Sequence, residues 1–196
     1  QTSNFVIDKN IEDSIAIQIN DLDFKYFNSE VNIFENLNFS ISKNKHTVIT
    51  GSNGSGKSTL LGLFSGIFYA TKGKVTSYSN NFGFVGAIPM ILNASLRENL
   101  LYGNLNQKDD NQLKEYIEKF QVFNNENEGS LDANVSNKSL STGQMQKISF
   151  IRALLKDIDI LLLDESLSNV DKKSKETILN VLDNLDITII NITHNI

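Results

Sequence analysis

The stretch GSNGSGKST, Gly51 to Thr59, limits what this chain can fold into more than any other. It reads glycine, four residues, glycine, lysine, then serine or threonine, the pattern of a loop that cradles phosphate. The spacing has a physical cause. Gly51, Gly54 and Gly56, with Ser52, Asn53 and Ser55 between them, let the backbone curl into a nest of N–H groups. The helix that follows adds its positive N-terminal end, and Lys57 reaches the β- and γ-phosphates of a nucleotide. Ser58 is placed to hold Mg2+ and Thr59 to support the phosphates. The plainer alternative is a flexible Gly/Ser loop. Context decides against it, because the β-branched run HTVIT precedes the loop and the helically periodic KSTLLGLFSGI follows it.

A phosphate loop needs a carboxylate for the metal and a base for water, and IDILLLDE supplies both. An apolar strand delivers Asp164 and Glu165 at its C-terminal end, where α/β sheets place ligands. Asp164 is read as holding Mg2+ through water, and Glu165 as the general base. An acidic pair at a strand end, taken alone, is a solvated turn; coupled to the upstream loop, the functional reading prevails.

The rest of the chain reads as strands alternating with helices. Ile15, Ile17 and Ile19 alternate in IAIQINDLDFKYF, and NLNFSIS repeats the pattern, predicting antiparallel strands joined by the turn-like NSE. Met145, Ile148, Ile151 and Leu155 predict one apolar helical stripe, Ile178, Val181, Leu182 and Leu185 another, and ITIINI a last strand. This order implies an α/β fold with a covered, largely parallel sheet. Leu96 to Phe123 reads as a helical insertion. The polar start over 1–14 reads as a linker before one domain over 15–196, and the end, just after a strand, as a truncation.

With 40% apolar and 21% charged residues the chain is a folded protein, and at 196 residues one domain is expected. A net charge of -5 argues against nucleic acid as a partner. The absence of cysteine excludes disulfides and thiolate chemistry. The longest apolar candidate, Leu60 to Ala70, is too short to span a bilayer, so membrane work would require another segment.

LSTGQ, Leu140 to Gln144, opens the helix before the carboxylate strand; SNVD, Ser168 to Asp171, follows that strand, and ITH ends with His194. Each has an ordinary reading: Ser141 as a helix N-cap, His194 as a surface residue. Together they resemble the signature, D-loop and H-loop of ATP-binding-cassette (ABC) proteins, with Thr142 where that family usually has glycine. FKYF falls where the family carries its adenine-stacking aromatic, best matched by Tyr26, and NASLRENLLYG resembles the exporter-type cassettes. The resemblance covers nearly the whole chain. It implies a P-loop (RecA-like), mostly parallel sheet core with an N-terminal antiparallel β-subdomain and an α-helical subdomain inserted over roughly 93–145.

The resemblance also implies a mechanism. Two cassettes dock head to tail around ATP and Mg2+, and Ser141, Gly143 and Gln144 of each face the nucleotide of the other. His194 contacts the γ-phosphate and the attacking water, and Asp171 couples the two sites. The implied partners are a second ABC ATP-binding domain and transmembrane domains in the same polypeptide, at the cytoplasmic face of a membrane.

One position departs from the family. In FGFVGAIPMILNASLREN, Ala87 stands where the Q-loop glutamine belongs, and a methyl group can neither touch Mg2+ nor hold water. Loss of one positioned donor at a reacting centre costs about a hundred- to a thousandfold in rate. Two readings follow: an ATPase motor domain of an exporter with reduced activity, and a nucleotide-binding regulatory subunit that hydrolyses poorly. The motor reading is preferred because Lys57, Asp164, Glu165, Ser141 and His194 are all kept. A soluble ABC ATPase is disfavoured by the acidic balance and the exporter-like LRENLLYG, and a GTPase by the lack of a guanine-reading Asn-Lys-x-Asp.

Overall fold

Strand β2 (Ile15–Phe24) forms where the apolar alternation predicts it, with Ile17, Ile19, Leu22 and Phe24 buried and Asn20 and Asp21 exposed. The computed structural model describes residues 4–104, 108–124 and 129–194. The first three residues of the expected linker, 105–107 and 125–128 of the expected insertion, and 195–196 at the expected truncation lie outside the described residues. The chain divides into two compact units.

The first unit comprises 1–82, 159–164 and 187–196. In one of its sheets β2 pairs antiparallel with β3 (Phe34–Ser42) on one side and with β5 (Lys72–Ser77) on the other. The predicted NSE turn is part of a longer connection over 25–33, with Asn28 at φ 62. The expected linker is corrected as well: β1 (Phe5–Ile7) pairs parallel with β5, Phe5 opposite Val75. A three-residue strand whose partner lies far along the chain carries no periodicity, so it reads as polar linker.

The other sheet of this unit orders β4 (His46–Thr50), β10 (Thr188–Thr193) and β9 (Ile160–Asp164), all parallel. Ile160 to Leu163 are buried without alternation, as in a strand covered on both faces. Helix α1 (Lys57–Phe64) supplies Leu60, Leu61, Leu63 and Phe64 to a core that also holds Ile17, Ile19, Leu162 and Ile190.

The second unit comprises 83–158 and 165–186, wider than the expected insertion over 93–145. Its described residues include most of β6 (Phe82–Gly86), a short antiparallel pair of β7 (Ala94–Ser95) and β8 (Asn134–Val135), and four helices. These are α2 (Leu96–Leu101), α3 (Asp110–Lys119), α4 (Thr142–Leu154) and α5 (Lys172–Leu182). Helix α4 packs against the other three, and Phe150 stacks on Phe120 with centroids 6.4 Å apart. The sequence predicted a single apolar stripe on α4. Enclosure by three helices instead buries Gln146, Lys147 and Phe150 together with Ile148 and Ile151. Among the described residues no helix is long and apolar enough to cross a membrane.

Candidate nucleotide-binding site

Register places three strand ends at one edge of the parallel sheet. Thr50, the last residue of β4, pairs with Thr193, the last of β10, and Asp164, the last of β9, pairs with Ile192. The phosphate loop leaves Thr50 and His194 follows Thr193, so Gly51, Asp164 and His194 emerge on the same side. With strands spaced about 4.8 Å apart, the edge from loop to carboxylate spans about 10 Å, the scale of a polyphosphate with its metal. Asp164 is half-buried and His194 exposed.

Lys57 is 9% exposed, and its Nζ donates to the carbonyls of Gly51 and Ser52, each at 2.9 Å. The ammonium is therefore held inside the curl of its own loop. Ser52, Asn53, Gly54, Ser55 and Ser58 are exposed, whereas Thr59 is buried. Gly56 adopts φ 91, and a Cβ there would stand 2.6 Å from Ile33, so no other residue fits without strain. As the N-cap of α1, Gly56 offers no side chain, whereas α2, α3, α4 and α5 are capped by Ser95, Asp109, Ser141 and Asp171. The first N–H groups of α1 are left for an anion.

Tyr26 joins this loop through its hydroxyl, 2.6 Å from Thr59 Oγ1. Its ring stands edge-on to Phe24 and Phe68, at 5.2 and 5.7 Å between centroids, and is 43% exposed. One end of the ring is thus fixed to the phosphate loop while part of its surface is open to a flat ligand. The sequence pointed to both residues but gave no sign of the bond between them.

These groups fit a nucleotide polyphosphate: a buried cation, a loop of N–H donors, an uncapped helix start and an adjacent aromatic. Mg2+ fits as well. Among the described residues no three His, Asp or Glu side chains gather to hold a metal by themselves, and Mg2+ characteristically takes one or two protein oxygens plus phosphate and water. Ser58 Oγ and the Asp164 carboxylate are the groups available for it.

Directly after Asp164 the chain turns. Glu165 sits at φ 52, and its carbonyl accepts from Ser168 N–H at 3.1 Å and from Ser168 Oγ at 2.8 Å. Ser168 therefore closes the turn that sets the backbone of Glu165. Asp171 caps α5, accepting from Ser174 N–H at 2.9 Å. Bonding to Ser174, with a smaller contribution from the charge of Lys147, holds the Asp171 carboxyl below the ordinary carboxylate range.

In the second unit, the stretch Leu140 to Gln144 forms a capping box. Ser141 Oγ accepts from Gln144 N–H at 3.2 Å, while Gln144 Oε1 accepts from Ser141 N–H at 2.9 Å. Leu140 and Gly143 are buried, and Ser141 and Thr142 are exposed at the start of α4. The ordinary N-cap reading of Ser141 is thus realised, and the same cap presents Ser141 to solvent. Ala87 is half-buried and follows β6 directly. The residues that hold the backbone on either side of it, Gln146 at Gly86 and Arg152 at Met90, were not singled out from sequence; the available signal was two polar side chains within a helix otherwise rich in buried apolar residues.

Comparison with known proteins points to a family. A family model described as ABC transporter matches residues 34–168. ABC transporter B family member 17 of Arabidopsis thaliana is 34% identical, over 83% of this chain and 14% of the relative. The ATP-dependent lipid A-core flippase of Vibrio parahaemolyticus is 29% identical, over 92% of this chain and 34% of the relative. This chain therefore spans well under half the length of either. Among solved structures, a metal-chelate type ABC transporter in an inward-facing conformation superposes with a TM-score of 0.73 at 27% identity, covering 93% of this chain and 74% of that one. A bacterial Atm1-family ABC exporter with ATP bound gives 0.78 at 20% identity, over 94% of this chain and 35% of that one, which is a likeness of fold.

Proposed function

This chain belongs to the ABC transporter family, and from that premise we propose that it is the ATP-binding and ATP-hydrolysing domain of an exporter. In this reading it pairs head to tail with a second such domain to drive transmembrane domains at the cytoplasmic face of a membrane. The observation that carries the proposal is the shared sheet edge, where Thr50 leads into the Lys57 loop, Asp164 ends β9 and Thr193 leads to His194.

Each residue then has a defined task. Tyr26, held by Thr59, stacks on the base; stacking of this kind contributes about 1–3 kcal/mol and tolerates different bases. Loop N–H groups from Gly51 to Gly56 and the Lys57 ammonium bind the phosphates. Mg2+, held by Ser58 and Asp164, neutralises phosphate charge when bound. Glu165 accepts the proton of the water that attacks the γ-phosphorus, the bond to the β–γ bridging oxygen breaks, and His194 orients the γ-phosphate. Ser141, Gly143 and Gln144 at the start of α4 face the nucleotide of the partner domain, and Asp171 links the two sites.

The exporter assignment is supported by the run from Asn93 to Gly103 and by the flippase among the relatives. A docking face for transmembrane domains is supported by Phe84 and Ile88, 58% and 88% exposed, beside a cavity of about 310 Å³ in the second unit.

Phosphate release and ATP-dependent association test the proposal together. Wild-type protein is expected to release phosphate with Mg2+ and ATP, and Glu165→Gln to accumulate as an ATP-bound pair in light scattering. Wild-type hydrolysis rates in Glu165→Gln would remove Glu165 from its role. Ala87 favours a second reading, a regulatory domain that binds ATP and hydrolyses it poorly beside a competent partner.

A further inference from the structure

The backbone around residue 87 hangs from one helix at two points. Gln146 of α4, 1% exposed, donates from Nε2 to the carbonyl of Gly86 at 3.0 Å. Further along α4, Arg152 donates from Nη1 to the carbonyl of Met90 at 2.9 Å and from Nε to that of Asn99 at 2.7 Å. Asn99, fully buried, closes the far end: its Oδ1 accepts from Leu92 N–H at 2.8 Å, and its Nδ2 donates to Leu92 O at 3.0 Å. Ala87, Ile88 and Pro89 bridge the two suspension points.

Gln146 is an unusual choice for such a place. Its Oε1 is buried and has no hydrogen-bond partner among the described residues, a state that costs free energy an apolar side chain of similar size would avoid. What the amide gains for that cost is the bond to Gly86, the residue directly before Ala87. The same helix begins at Ser141 and Thr142, only one turn from Gln146. An α-helix of this length moves as a stiff element, so a displacement of its N-terminus is carried to the Gly86 carbonyl.

We propose that Gln146 is a positioning residue that ties the Ala87 segment to the helix opening at Ser141, so that contact of Ser141 with a partner's nucleotide shifts residue 87. The tether is a feature of the second unit alone; its consequence for turnover rests on the function proposed above. Gln146→Leu and Gln146→Met remove both the donor and the orphan acceptor and preserve volume, so the fold is expected to be retained, which far-ultraviolet circular dichroism checks. Gln146→Glu is the sharper probe. Its carboxyl can donate to Gly86 O only when protonated, and burial raises its pKa.

The test is NMR of the chain labelled with 13C at glycine carbonyls, run beside steady-state kinetics with Mg2+ and ATP. In Gln146→Glu the Gly86 carbonyl and the Ala87 amide are expected to titrate together, a response absent from wild type. Turnover of that variant is expected to fall over the same pH interval, and Gln146→Leu to lose about tenfold in kcat while its KM for ATP stays within twofold. A Gly86 carbonyl that does not move with pH overturns the tether whether or not the protein hydrolyses ATP. A moving carbonyl with wild-type kcat in both Gln146→Leu and Gln146→Glu overturns the coupling. A moving carbonyl in a protein whose wild type binds ATP without any turnover leaves the tether standing and overturns the ATPase function instead.

Discussion

Gly143 and Asp171 lie so close that only a hydrogen fits between them: a Cβ built on Gly143 would stand 2.8 Å from Asp171 Oδ2 and 2.5 Å from Ser174 Oγ. The first turns of α4 and α5 therefore touch through a glycine. The two motifs that sequence analysis separated, LSTGQ and SNVD, are one packed feature of the second unit. Asp171, which caps α5, is held by the same Ser174 that crowds Gly143.

That contact makes Gly143→Ala an overpacking substitution. Ser174 is buried and its Cβ also stands 3.1 Å from the added methyl, a contact that rotating the hydroxyl does not relieve, so the methyl must part the two helix starts, at about 1–3 kcal/mol. Urea unfolding is expected to show the loss with an unchanged m-value, and ATP-dependent association is expected to fall further than stability does. An alanine variant as stable as wild type would show that the helices part freely.

Asp171 gives the fold a pH dependence whose sign follows from its bonds. Ser174 lowers the folded-state pKa of this carboxyl below its unfolded value of about 3.9. The ionised cap therefore contributes in full above that unfolded value, and its contribution is lost as pH falls through the lower folded one. The urea midpoint of wild type is expected to drop across this acid interval, and Asp171→Ala to lack that component. Asp171→Asn caps without titrating, so it should resemble wild type near neutrality and lose the acid step. An identical acid profile in all three proteins would assign the step to other carboxyls.

Legibility in the sequence followed the range of the interactions. The phosphate loop, the apolar run of β9 with Asp164 and Glu165, and the helix opening at Ser141 are local patterns, and each forms where it was expected. What escaped is non-local. Strand β1 exists because Phe5 meets Val75, and Gln146 is buried because three helices enclose α4. The packing role of Gly143 depends on Ser174, more than a helix away in sequence, and nothing around Gly143 announces it. The residues of the candidate site could be nominated from local patterns; the contacts that orient them, such as Tyr26 to Thr59, required the fold.

The Tyr26–Thr59 contact separates two contributions to nucleotide affinity. Tyr26→Phe keeps the ring against Phe24 and Phe68 and removes one hydrogen bond, a change of about 0.5–1.5 kcal/mol. Tyr26→Ala removes the stacking surface as well, at about 1–3 kcal/mol. Fluorescent ATP titration is therefore expected to give a small weakening for the first and about tenfold or more for the second. Equal affinities in Tyr26→Ala and wild type would place the base elsewhere.

Ala87→Gln decides between the motor and the regulatory readings. Residue 87 is half-buried, and its neighbour Gly86 is held by Gln146, so a longer side chain can be added without cutting the backbone tether. If residue 87 faces the reacting centre, the new amide supplies one positioned donor, a change of about a hundredfold or more in rate. Binding should hardly respond if, as proposed, the Lys57 loop and Tyr26 hold the nucleotide. The expected result is slow, measurable phosphate release in wild type, a large rise in kcat for Ala87→Gln, and ATP affinity within twofold. A wild-type rate at background that rises manyfold in Ala87→Gln would favour the regulatory domain. A rate unchanged by the substitution would mean that residue 87 does not reach the nucleotide, and the turnover of this chain would then depend on Glu165 and His194 without a Q-loop contribution.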